Sequence, residues 1–262
     1  MRAGLLVGCL VTLAFLVARP FGFVPTALAQ PPTEKILFIG NSFTFVGYRG
    51  TDGLSGAPAI FLVLAHARGH NPAVAMATAG AATLRTHCTN GSNAMTALGS
   101  QRWDDVVLQG QSQEATDGAS SEGFLYYGDR LSRAIRNRNP SARVMAYETW
   151  AFAPGDTVYP AGYRNPDAML IQIRSHYEAL CRLDHATIVR VGEAFRTSEL
   201  GFGDIPLIGS DFRHPTTAGA YLAALMFYRT IYHEDPRGLP TVEGVSPADA
   251  TALQAVAASV AR

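Results

Sequence analysis

The chain has 262 residues, with 21 basic and 21 acidic side chains and a formal net charge of zero. A nucleic-acid partner calls for a basic excess, which is missing, and a content of 48% hydrophobic and 16% charged residues is too apolar for a disordered chain. The 25 glycines and 15 prolines follow no period, which excludes collagen-like and low-complexity readings.

The N-terminus reads as a secretory signal. Arg2 is followed by an uncharged, mostly apolar run from Gly4 to Val17, and Arg19-Pro20 stops that run short of the ~20 residues a membrane span needs. Ala27-Leu28-Ala29 then puts small residues at the two positions a signal peptidase reads. Too little apolar chain precedes Cys9 for a lipoprotein site. The expectation is cleavage between Ala29 and Gln30, a secreted or periplasmic product, and no membrane association afterwards. Residues 30–262 are then expected to form a single domain, about −2 in charge, that retains Cys88 and Cys181. An exported chain can pair these two, whereas Cys181 on an apolar helix face suits a packed free thiol, and both readings stand.

Strand and helix patterns alternate along that domain. Lys35 to Gly40 is a short apolar run ending at glycine, as a buried parallel strand should be. Ile60, Phe61, Leu64 and Ala65 follow helical spacing up to Gly69, and Ala73–Ala77 and Asp105–Gln109 read as strands. Phe124, Tyr127, Leu131 and Ile135 line one helix face. Ala142–Tyr147 is the next strand. Asn165 caps a helix with Pro166 at its first position, continued by Leu170, Ile173, Tyr177 and Leu180. Thr187–Val191 is a fifth strand. Pro215 is expected to open a helix carrying Tyr221, Leu225, Tyr228 and Tyr232, and Ser246-Pro247 begins a last one. This alternation predicts an α/β fold, a three-layer α/β/α sandwich around a flavodoxin-like parallel sheet of about five strands. Its functional groups are expected at the carboxyl ends of the strands.

Two features have structural readings. Arg130, Arg133, Arg136 and Arg138 lie opposite an apolar stripe near a helix C-terminus, as a solvated face does. His66 and His70 are four apart but lack a neighbouring acidic residue in sequence, which suits a surface pair at a helix end and predicts no metal site.

The chemistry gathers at strand ends and in one late loop. Gly40-Asn41-Ser42 directly follows the first strand, so the Ser42 hydroxyl is held on the sheet's functional edge. Asp211-Phe212-Arg213-His214-Pro215 precedes a helix, and Asp and His three apart can face one another on a single turn. The carboxylate then accepts from one imidazole nitrogen and leaves the other as a base, beside which a serine becomes a nucleophile.

This pair of blocks resembles the SGNH (GDSL-like) hydrolase family, whose first block is Gly-x-Ser after the first strand and whose last is Asp-x-x-His. The resemblance implies Ser42 as nucleophile, His214 as general base and then acid, and Asp211 as the group orienting His214, with no cofactor. The second block is a glycine after the second strand whose N–H donates to the oxyanion. Gly80 fits by position, and a loop glycine needed for positive φ is the alternative. The family's Gly-x-Asn-Asp third block is replaced here by Gln109-Gly110-Gln111-Ser112-Gln113-Glu114, closer to the Gln-Gly-Glu variant of some carbohydrate-esterase relatives. The implied oxyanion hole comprises the N–H groups of Ser42 and Gly80 and one side-chain amide. If Gln109 takes the glycine's place, Gln111 takes the asparagine's; if Gly110 is that glycine, the donor place falls to Ser112, whose hydroxyl reaches less far. The Gln-Gly-Glu resemblance implies the first register and Gln111 as donor, with Gln109 as the alternate or as a loop-holding partner.

The function these residues imply is an exported serine esterase working through an acyl-enzyme, on a small-molecule or polysaccharide ester and in particular O-acetyl groups on a carbohydrate. A lipid or aryl ester is the alternative substrate. A glycan- or phosphate-binding module of the same fold is the alternative class.

Overall fold

The structure is a computed structural model that describes Met1 and residues 34–117, 121–155 and 165–261. The chain divides into two units, Met1–Pro32 and Thr33–Arg262. The expected signal segment lies outside the described residues, apart from Met1.

Five parallel strands form the centre: β1 (Lys35–Gly40), β2 (Ala73–Thr78), β3 (Asp105–Leu108), β4 (Arg143–Glu148) and β5 (Thr187–Arg190), in spatial order β2-β1-β3-β4-β5. Helices connect them: α1 (Ser42–Phe45), α2 (Gly56–Ala67), α3 (Leu84–His87), α4 (Asn93–Ser100), α5 (Ser121–Arg138), α6 (Pro166–Asp184), α7 (Val191–Gly201), α8 (Thr217–Tyr232) and α9 (Pro247–Ser259). This is the expected α/β/α architecture. Ile36 to Ile39 of β1 are fully buried, because both sheet faces are covered, whereas the edge strand β2 is only partly so.

The cap signals act as read at α6, where the Asn165 side chain accepts from Ala168 N–H with Pro166 at the helix start, and at α9, capped by Ser246. Pro215 does not open its helix. The Thr216 hydroxyl caps α8 by accepting from Gly219 N–H, while Pro215 is held in an antiparallel bridge to Ile208. The fifth strand ends one residue early, because Val191 already begins α7. Cys88 and Cys181 are free thiols, their pKa values pushed up by burial to about 11 and about 12. His70 is partly buried, and among the described residues the partners of its ring lie far along the chain and do not include His66. It stacks on Tyr232 at 3.7 Å and meets the Glu234 carboxylate at 3.0 Å. Among the described residues no helix is long and apolar enough to cross a membrane.

Candidate active site

Strand β1 delivers Ser42. At its end a Cβ on Gly40 would lie 2.6 Å from Gln109 Oε1, so only glycine fits there. Asn41 follows in extended conformation and caps α1, its Oδ1 accepting from Phe43 N–H at 3.1 Å while its Nδ2 donates to Ala82 O at 3.1 Å. One side chain thus turns the chain into a helix and ties that turn to the loop after β2. Ser42 is the first residue of α1.

A tight hairpin delivers the other two residues. Gly209 N–H donates to His214 O at 2.8 Å and Thr216 N–H to Leu207 O at 2.9 Å, closing the segment between them. Asp211 Oδ1 accepts the N–H groups of Arg213 and His214, each at 3.0 Å, and Oδ2 meets His214 Nδ1 at 2.5 Å. His214 Nε2 lies 2.8 Å from Ser42 Oγ. Burial works to raise the pKa of Asp211, but hydrogen bonds from the His214 ring and from the two N–H groups outweigh it and hold the carboxyl below its ordinary value. An ionised Asp211 fixes the proton on Nδ1, which leaves Nε2 to accept the Ser42 proton. The structure therefore brings together Ser42, His214 and Asp211 from opposite ends of the sequence.

An aromatic stack backs this arrangement. Phe43 stacks on Trp150 with ring centroids at 4.5 Å, Trp150 stacks on Phe195 at 4.3 Å, and Phe43 meets the His214 ring edge-on at 5.6 Å. Trp150 Nε1–H also donates to Arg213 O at 2.9 Å. Trp150 was not singled out by sequence reasoning. Its position two residues past the end of β4, on the functional edge, is the signal that points to it.

The two glutamines part company. Gln109 is fully buried, and its Oε1 accepts Asn41 N–H at 2.8 Å and the Thr44 hydroxyl at 2.9 Å, while its Nε2 donates to Gly110 O. Both ends of its amide are engaged in the protein interior, so Gln109 supports the turn that carries Ser42. Gln111 is half-buried. Its Oε1 accepts Gln113 N–H at 2.8 Å and its Nε2 donates to Ser112 Oγ at 3.0 Å, with a second amide hydrogen left over.

Gly80 is exposed and does not have positive φ; its neighbour Ala81 takes that conformation at 55°. The need for positive φ therefore does not explain the glycine. The N–H groups of Ser42 and Gly80 form no hydrogen bond with the described residues.

Two buried polar residues, also missed in the sequence, set these loops. The Glu114 carboxylate accepts Leu84 N–H at 3.0 Å and Gln111 N–H at 2.9 Å, linking the loops after β2 and β3. Burial raises its pKa, and those backbone donors act in the opposite direction. His87 meets Gly40 O through Nε2 at 3.1 Å, and burial lowers its pKa, which favours the neutral ring. Among the described residues no group of three His, Cys, Asp or Glu side chains is placed to hold a metal ion.

Neither a family model nor a curated protein sequence matches the chain. Solved structures do. A DUF4886 family protein from Bacteroides uniformis superposes with a TM-score of 0.67 at 22% identity, over 86% of this chain and 93% of that one. A protein from Slackia heliotrinireducens, provisionally classed as an SGNH hydrolase, gives 0.60 at 25% identity, over 76% and 99%. An acetylxylan esterase from Geobacillus stearothermophilus gives 0.55 at 20% identity, over 77% and 95%. The chain has the fold of the SGNH (GDSL-like) hydrolases, as the blocks at Gly40–Ser42 and Asp211–His214 implied. On that fold it carries the serine–histidine–aspartate arrangement of a hydrolase.

Proposed function

We propose that the chain is an exported serine esterase that removes O-acetyl groups from a carbohydrate. The observation that carries the esterase reading is the continuous relay from Asp211 through His214 to Ser42 Oγ, closed by contacts of 2.5 and 2.8 Å. In the first step Ser42 Oγ bonds to the ester carbonyl carbon and its proton passes to His214 Nε2. The ester C–O bond then breaks, and the sugar hydroxyl leaves with that proton. Water repeats the sequence on the acyl-enzyme, releasing acetate and restoring Ser42. The N–H groups of Ser42 and Gly80 and the spare amide hydrogen of Gln111 hold the negative oxygen of each tetrahedral intermediate.

The choice of an acetylated carbohydrate is supported by the Gln109-Gly110-Gln111 block and by the likeness to a fold neighbour that is an acetylxylan esterase. Export is supported by the Gly4–Val17 run and the Ala27-Leu28-Ala29 triplet. The experiment is to treat the purified protein with a fluorophosphonate and locate the adduct by mass spectrometry, then to screen acetylated sugars and p-nitrophenyl esters. Labelling of Ser42 with acetate release is the expected result. An unlabelled Ser42 in a folded protein refutes the esterase, and N-terminal sequencing of the exported chain tests cleavage before Gln30.

A further inference from the structure

We propose that the exposed ring of Phe212 is a sugar-binding platform, on which the pyranose bearing the scissile acetyl group stacks beside His214. The proposal rests on the esterase reading and names the residue that recognises its substrate.

Phe212 sits at φ +64°, in the left-handed region. The other non-glycine residues found there among the described ones are Asp52, Ala81, His185 and His233. His185 and His233 are helix C-caps, Asp and His tolerate this region better than most residues, and alanine is small. Phe212 alone is bulky and apolar. The turn itself calls for positive φ: Phe212 N–H donates to Gly209 O at 2.9 Å, Phe212 O accepts Ala153 N–H at 2.8 Å, and the next two N–H groups go to Asp211. Glycine meets that demand without the clash between Cβ and carbonyl that a phenylalanine suffers. The turn therefore does not account for the ring.

Burial does not account for it either. Phe212 is 40% exposed, whereas Phe43, Phe152 and Phe195 around the same site are 3%, 0% and 1% exposed. Strained backbone that persists at a functional site points to a use for what it holds. The ring is also steadied: a Cβ on Gly155 would stand 3.1 Å from Phe212 Cε1, and Gly155 itself has φ +102°. Two residues of chain keep the Phe212 and His214 Cα atoms within ~7.6 Å of each other, so the ring belongs to the same turn as the proposed base. A fixed aromatic face suits the apolar C–H face of a pyranose. The turn that holds the ring is exposed, its Asp211 side chain being half exposed. A lipid chain needs a continuous apolar groove, whereas the chain neighbours of this ring are the charged Asp211 and Arg213.

The test separates binding from turnover. In the Ser42→Ala protein, calorimetric titration with an acetylated xylo-oligosaccharide reads affinity alone. Adding Phe212→Leu, which keeps bulk and removes the aromatic face, weakens binding about tenfold, and Phe212→Trp in its place restores it. In the active protein Phe212→Leu raises KM for the same oligosaccharide and leaves kcat within about twofold. Affinity that ignores the ring overturns the proposal. So does a fall in kcat that is equal on the oligosaccharide and on p-nitrophenyl acetate, which makes Phe212 a part of the turn only. A Ser42→Ala protein that binds no acetylated oligosaccharide also overturns it, while fluorophosphonate labelling of wild-type Ser42 independently reports whether the esterase reading stands.

Discussion

The indole N–H of Trp150 donates to the carbonyl of Arg213 across 2.9 Å, which ties the end of β4 to the residue just before His214. The same ring stacks on Phe43, the residue just after Ser42. One side chain therefore bridges the two segments that carry Ser42 and His214. Trp150→Phe keeps a stacking ring and removes the donor. It should lower kcat on p-nitrophenyl acetate about tenfold and stability by about 1–3 kcal/mol, as a carbonyl loses its partner. Parallel kinetics and urea melts measure both, and unchanged kcat would remove Trp150 from the positioning of His214.

Ser42→Ala and His214→Ala should each reduce turnover on the order of 10⁴-fold or more in a folded protein. Asp211→Asn retains an oxygen for the Arg213 and His214 N–H groups but no longer fixes the tautomer of His214. Turnover should therefore fall ~10⁴-fold with little change in melting temperature. A large drop in melting temperature with normal turnover of the folded fraction would make Asp211 a turn residue only.

Gln109 and Gln111 should respond differently to alanine. Gln111→Ala should lower kcat about 10²–10³-fold at nearly constant KM and leave the melting temperature close to wild type. Gln109→Ala strands the buried Asn41 N–H and the Thr44 hydroxyl, so it should destabilise by about 1–3 kcal/mol. Wild-type kcat in Gln111→Ala would remove that residue from the oxyanion hole.

Glu148 supplies a pH-dependent term in stability. Its fully buried carboxyl is pushed up to about 7 by burial, against the pull of Arg190 and Arg174. A pKa raised on folding stabilises the protein below the unfolded value of 4.5, and that contribution is lost as pH climbs through about 7. Glu148→Gln still accepts from Glu193 N–H and has nothing to ionise. Its stability relative to wild type should thus rise by roughly 3 kcal/mol between pH 4.5 and 8, read from urea unfolding at both values. A constant difference across that range would contradict the assignment.

Much of the site was legible because its chemistry lies at predicted element ends. Ser42 stands directly after an apolar strand, and Asp211-x-x-His214 stands just ahead of a helix. What escaped depends on contacts between distant segments. Trp150 meets Arg213 across 63 positions and Gln109 meets Asn41 across 68, so neither partnership has a local signature. That Gln109 faces inward to Asn41 and Thr44, and not outward to the sheet's edge, follows only from the packing of β3 beside β1. In the fold, α1 and α3 are four residues long, too short to display a helical period. No breaker separates β5 from α7. Pro215 misled because a proline before a helix suits its first position, while Thr216 offered the competing cap that won.

Ser42 precedes its base by 172 residues, and α8, which begins just beyond His214, packs on α2 from the first third of the chain. Ser42 is thus synthesised near the start of the domain and His214 in its last quarter. A chain that ends ahead of Asp211 carries Ser42 without His214, which contacts it, and without Asp211, which contacts His214. On the proposed esterase reading, turnover recovered after dilution from denaturant is expected to report docking of the α8 segment, and fluorescence of Trp103 and Trp150 the collapse before it.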